Sequence, residues 1–224
     1  ESLAYAPPES LSQFMFQKPK TAKRLYFDII PKNVDEYLQH LANFSQQDLQ
    51  KQLENPVWHI HCGKPPHEEA HLSYNILLNL ASVCHTEDKS VLWHFITRYR
   101  PEATAATAPI LDGLVTRAIR YYQDFIKPNK HYRSASEMER AAFQDLRSIL
   151  DNIVAGSSAE DIQTEVYEVG KRHHFDSLKD WFRCLYEVLL GQEQGPRMGS
   201  FIVLYGLQET KDLLDQVIAG KDLS

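Results

Sequence analysis

The residues most suited to chemistry crowd into His59-Ile60-His61-Cys62-Gly63, with Cys84-His85 as a pair that folding could bring alongside. Imidazole and thiolate are zinc ligands, but zinc sites built from paired ligands use a two-residue spacer that these pairs lack. Satisfied or surface histidines are the better reading, and no metal is expected. His173 and His174 are adjacent and diverge on a helix, so they add nothing to a metal reading. No serine stands in a Gly-x-Ser-x-Gly turn, no glycine-rich phosphate loop is present, and the acids are scattered. Catalysis by this chain alone is not expected.

Cations interleaved with aromatics are more suggestive. Lys18, Lys20, Lys23, Arg24 and Tyr26 form one group, Lys127, Lys130, His131, Tyr132 and Arg133 a second, and Arg98, Tyr99 and Arg100 a third. Single-stranded RNA is bound by stacking unpaired bases on aromatic or guanidinium faces while Lys and Arg hold phosphates. Taken by itself, each group is more often a solvated surface than an RNA site. The net charge of −6 provides no broad basic field for nucleic acid, so any RNA contact must be local.

Those groups are carried on helices. The apolar residues Ile110, Leu111, Leu114, Val115, Ala118, Ile119 and Tyr122 recur at three- and four-residue steps, predicting a helix over 109–127 with Arg117 and Arg120 on its polar face. Ser136 and Glu139 have capping-box spacing for a helix over 136–155 that Gly156 would end. Another stripe, Leu178 to Leu189, stops at Gly191. Helices are also expected over 33–44, 72–83 (apolar nearly all round), from a Thr86 cap to Pro101, from Ser158 onward, and over 207–219. No run of alternating polarity appears, so the fold class is all-α, a helical bundle. With 224 residues, one to two domains are expected; residues 55–69 read as a loop dividing a helical connector (1–60) from an α-helical domain (61–224). Three sparse cysteines fit a reducing, cytoplasmic setting, and the longest apolar runs are far short of a membrane span.

At Phe14-Met15-Phe16-Gln17-Lys18-Pro19-Lys20, then Ala22-Lys23-Arg24-Leu25-Tyr26-Phe27-Asp28, the chain resembles the class I lysyl-tRNA synthetases. The likeness continues through Asn55-Pro56-Val57-Trp58-His59-Ile60-His61 and Ala118-Ile119-Arg120-Tyr121-Tyr122. It is strongest at Leu185-Tyr186-Glu187-Val188-Leu189-Leu190-Gly191 and Gly195-Pro196-Arg197-Met198-Gly199-Ser200-Phe201. It implies the C-terminal, anticodon-binding portion of such an enzyme: an α-helix cage like that of bacterial glutamyl-tRNA synthetase. The family's His-x-Gly-His and Lys-Met-Ser-Lys-Ser motifs, which serve amino-acid activation with ATP, do not occur in these residues. The resemblance therefore implies no cofactor here, ATP for a full-length enzyme that joins lysine to its tRNA, and no activity for this portion alone. Met198 stands where the family often has an aromatic, and the stretch 170–177 is shorter than in relatives.

The implied partner is the uridine-rich anticodon stem and loop of a lysine tRNA, bound by a monomer, with neither DNA nor membrane involved. Arg197, between Gly195-Pro196 and Gly199 at a helix start, is the foremost base-reading candidate; the alternative is a structural ion pair. Trp58 and His61, read as lying on an extended loop, either stack a base or plug the bundle, the plug being favoured. Phe201, Arg120 and Arg133 complete the RNA-facing set, and Lys18, Lys20, Lys23 and Arg24 suit phosphates of the stem. The rival function is a helical protein–protein interaction module, which the acidic charge supports.

Overall fold

A computed structural model describes residues 2–17, 19–24, 26–154, 156–221 and 223. Among these residues the regular structure is helical throughout, without a strand. α1 (Pro8–Phe16), α2 (Ile30–Phe44), α3 (Leu49–Glu54) and α4 (Pro56–Ile60) make a front group. The rest comprises α5 (Tyr74–Val83), α6 (Lys89–Tyr99), α7 (Pro109–Tyr121), α8 (Glu137–Asn152), α9 (Ala159–Arg172), α10 (Leu178–Leu189), α11 (Met198–Tyr205) and α12 (Leu207–Ile218). α1 packs on α2 and α4, α2 on α5, α5 on α7, α11 on α9, and α12 on α8.

Local chemistry explains most boundaries. Ser136 and Glu139 form the expected capping box at α8, and Ser158 with Asp161 forms another at α9. α5 is buried on every side, from Tyr74 and from Ile76 through Val83, which accounts for its nearly unbroken apolar sequence. α10 buries Trp181, whose indole N–H donates to the Val166 carbonyl at 2.9 Å. Gly191, at φ 67°, turns the chain just beyond α10.

Several boundaries differ from the sequence reading. The helix over 109–127 divides: α7 ends at Tyr121, a π-helical turn spans Tyr122–Ile126, and a 3-10 turn spans Lys127–Asn129. Pro128 lacks an N–H and its ring crowds the preceding turn, so a regular helix cannot run through it. α6 is capped by Asp88, which accepts from Ser90 N–H at 2.8 Å, while Thr86 serves one step outside by accepting from Asp88 N–H. α8 stops at Asn152, before Gly156 is reached. Residues 56–60, read as loop, are helix α4: Asn55 accepts from Val57 N–H at 3.1 Å, and Pro56 occupies a first-turn position that needs no donor.

α7 and α11 are among the helices that begin without a side-chain cap of their own. α7 follows Ala108, and its first free N–H groups, on Ile110 and Leu111, are both accepted at 2.8 Å by the buried carboxylate of Glu68. α11 follows Arg197, and Gly199 N–H donates to Gln163 Oε1 of α9 at 2.8 Å. α5 has Ser73 but is also met by Asp35 of α2, which accepts from Tyr74 N–H and, at 3.1 Å, from Asn75 N–H.

Gly199 also sets how closely α11 approaches α9. A Cβ there would lie 2.0 Å from the Ala159 carbonyl oxygen and 2.8 Å from Gln163 N, both rigid backbone. Gly199→Ala is expected to lower stability by about 1–3 kcal/mol through overpacking, read as a reduced urea midpoint. An unchanged midpoint would mean that the helices separate freely.

Candidate nucleic-acid interface

Arg197 is the N-terminal boundary residue of α11 and is exposed. Its Nη1 lies 3.2 Å from Glu160 Oε1, with the two side chains 56% and 67% exposed. A pair so wet is worth less than about 1 kcal/mol, so the guanidinium can exchange this carboxylate for a ligand. The neighbouring glycines have structural duties. Gly199 is pressed on α9, and a Cβ at Gly195 would run into the Tyr186 ring at 2.4 Å. The Tyr186 hydroxyl donates to the Pro196 carbonyl at 2.9 Å and holds this turn in place.

Three candidates are engaged by other residues of the fold. Phe201 is 1% exposed and stacks on Tyr205, so it is a core residue and the expectation that it faces RNA is corrected. Arg133 donates twice to Glu139 at 2.8 Å and once to Glu187 at 2.5 Å, which corrects its role to that of a structural cation. Burial works against the Glu139 charge, but Arg133, Ser136 N–H and Cys184 outweigh it and hold the carboxyl down at about 2. Lys23 places its ammonium on the Phe14 and Gln17 carbonyls at the end of α1, over the Phe14 ring, and so seals a helix C-terminus where a phosphate contact was expected.

Trp58 and His61 are not on an extended loop. Trp58 belongs to α4 and stacks on Phe44, with Gly63 close against its ring. His61 follows α4, and its Nε2 lies 3.0 Å from the Tyr37 hydroxyl; burial pulls its pKa down. His59 stacks on Phe16 and meets the Leu53 carbonyl at 2.8 Å. Among the described residues no group of three His, Cys, Asp or Glu is placed to hold a metal ion.

Of the candidate cations, Lys20, Arg24 and Arg120 are left open, besides Arg197. Lys20 and Arg120 are exposed, and Arg24 is hydrogen-bonded only to the exposed Tyr26 hydroxyl at 3.3 Å among the described residues. Lys18 lies outside the described residues.

The sequence reading missed a cleft of about 480 Å³ where α2, α5, the end of α7 and the segment 192–195 converge. Lys32, Asp35, Asn75, Asn79, Gln192 and Gln194 line it. Asn79, 3% exposed, donates through Nδ2 to the Asn75 carbonyl at 2.8 Å and to Asn75 Oδ1 at 3.1 Å. Gln192 Nε2 donates to Asn79 Oδ1 at 3.4 Å and to Ser82 Oγ at 3.2 Å. The signal available in the sequence was a pair of asparagines four residues apart in an otherwise apolar helix. In sequence, Arg24 lies shortly before one wall of the cleft and Arg197 shortly after another.

Comparison with known proteins places the chain. The sequence model for "tRNA synthetases class I (K)" matches residues 1–64. The chain is 53% identical over 224 residues to the lysine–tRNA ligase of Roseobacter denitrificans, covering 100% of this chain and 42% of the relative. It is 49% identical over 215 residues to that of Rickettsia africae, covering 95% and 41%, and 49% over 221 residues to that of Rickettsia akari, covering 98% and 41%. The chain belongs to the class I lysine–tRNA ligase family, matches a C-terminal portion of its members, and spans about two fifths of the length of these relatives. No helix of the described residues is long and apolar enough to cross a membrane.

Asp35 on the cleft wall offers a check of this geometry. Burial raises its pKa to about 6, against the lowering effect of its two backbone donors. Between about pH 4 and 6 the unfolded chain releases this proton before the folded one does, so the group's contribution to stability falls as pH rises and is level above that range. The destabilisation caused by Asp35→Asn is therefore expected to shrink from pH 4 to pH 7, by up to roughly 3 kcal/mol at 1.36 kcal/mol per unit. Paired urea titrations of the two proteins read this difference; a constant gap would place Asp35 in solvent.

Proposed function

We propose that this chain binds a lysine tRNA by its anticodon stem and loop. The observation that carries this reading is the coincidence of kinship to lysine–tRNA ligases along the whole of this chain with a polar cleft flanked in sequence by open cations. Lys20 and Arg24 are assigned to stem phosphates, contacts that position without reading sequence. Arg197, freed from its weak surface pair, is assigned to the loop, where a guanidinium suits carbonyl or phosphate oxygens. Arg120 is held as a further phosphate contact. Lysine–tRNA ligase activity with ATP belongs, on this reading, to a protein that also carries the activation motifs missing from these residues. The chain is taken to act as a monomer.

The exposed apolar residues Met15, Phe16, Leu49 and Leu53 of α1 and α3 favour a second reading, a helical module that docks another protein. Titration of the chain with a lysine tRNA and with an anticodon-swapped counterpart, across a range of salt, separates the two. RNA recognition predicts tighter binding of the lysine tRNA and an affinity that falls with salt; equal affinity for both RNAs at every salt concentration sinks anticodon reading. Arg197→Ala is expected to weaken the lysine tRNA by about 1–3 kcal/mol, and Lys20→Ala to weaken both RNAs alike with a salt slope reduced by about 1. If Arg197→Ala binds as the parent does, Arg197 has no part in recognition.

A further inference from the structure

Resting on that reading and sharpening it, we propose that Asn75 and Gln192 read the pairing edge of a single unstacked uracil held in the cleft between α2, α5 and the segment 192–195. The three amides have one consistent orientation. Asn79 must point Nδ2 at the Asn75 backbone carbonyl, 2.8 Å away, because that oxygen can only accept. Its Oδ1 therefore faces Gln192, which must present Nε2. The same Nδ2 also approaches the Asn75 side chain, which must present Oδ1.

The relay runs in one direction, and its ends are left over. Gln192 Oε1 is a free acceptor at one end and Asn75 Nδ2 a free donor at the other; neither has a partner among the described residues. Both residues are half-buried, whereas Asn79 between them is buried and spent. A cavity of this size lies in the range, about 300–1,000 Å³, of sites that enclose small molecules. The carboxylates of Asp28 and Asp35 on its wall disfavour a phosphate inside, while Lys32 at the margin can meet one outside.

A free donor and a free acceptor match uracil, whose edge offers a carbonyl beside an N–H. Cytosine inverts both groups: its amino group would meet the Asn75 donor, and its bare ring nitrogen would meet the Gln192 acceptor. Leaving such polar groups unpaired is what makes a hydrogen-bonding site reject the wrong base.

The experiment uses the 224-residue chain and lysine tRNA transcripts in which each anticodon-loop uridine is changed singly to cytosine. The parent protein is expected to prefer uridine at one position by roughly tenfold, a single good contact's worth. Gln192→Leu and Asn75→Ala should each bring that preference to within about twofold while leaving the salt slope unchanged. In parallel, 4-thiouridine at the same position is photo-crosslinked to the unmodified protein, so that the result does not depend on either variant folding. Crosslinks to residues 75–79 or 192–195 support the proposal, and crosslinks confined to other segments overturn it. A parent that discriminates while both folded variants discriminate equally overturns the cleft alone; a parent with no preference overturns anticodon reading and the cleft together.

Discussion

Helix N-termini satisfied by side chains from other elements are the constraint on which the arrangement depends. Four N–H groups at the start of any helix have no partner within it, and leaving one buried and unmet costs about 1–3 kcal/mol. In this chain Asp35 meets α5, Glu68 meets α7 and Gln163 meets α11. Each contact fixes both the position and the direction of the helix it serves. Asp35 in particular ties the front group to α5, and so defines one wall of the cleft where Asn75 begins the amide relay.

Charge is handled in the same economical way. A net charge of −6 conceals an uneven distribution, because many cations are neutralised at close quarters. Arg133 is held by two carboxylates, Arg98 by Glu209 and the Tyr205 carbonyl, and Lys89 by Asp112. Lys130 lies on the Ser82 carbonyl between two tyrosine rings, where burial lowers its pKa to about 8. Others stay open, among them Lys20, Arg24, Lys32 and Arg120, with Arg197 only weakly paired. Counting basic residues by sequence cluster overstated the surface, because Lys23 and Arg133 look no different from their neighbours until their acceptors are seen.

Legibility followed the distance over which each interaction acts. Helices with caps from their own sequence, such as Ser136 with Glu139 or Ser158 with Asp161, were readable because every partner lies within four residues. α4 was misread since Asn55-Pro56 signals a break and a helix start with the same two residues. Phe201 was misassigned because an aromatic beside an RNA-associated motif carries no mark of burial, and its place in the core depends on how closely Gly199 lets α11 approach α9. The cleft was invisible because Gln192 and Asn79 are 113 residues apart. The family itself was readable, since ordered blocks spanning the whole chain need no three-dimensional information.

Caps supplied from afar also bear on how the chain assembles. The partners of Asp35, Glu68 and Gln163 are separated from them in sequence by 36 to 43 residues. An isolated helix of this length is marginal in water, because nucleating its first turn is unfavourable. α5, α7 and α11 thus gain their missing acceptors only once the loops between have closed. Initiation of each helix is thereby coupled to docking of another, which favours folding and unfolding in one concerted transition over the accumulation of separately formed helices.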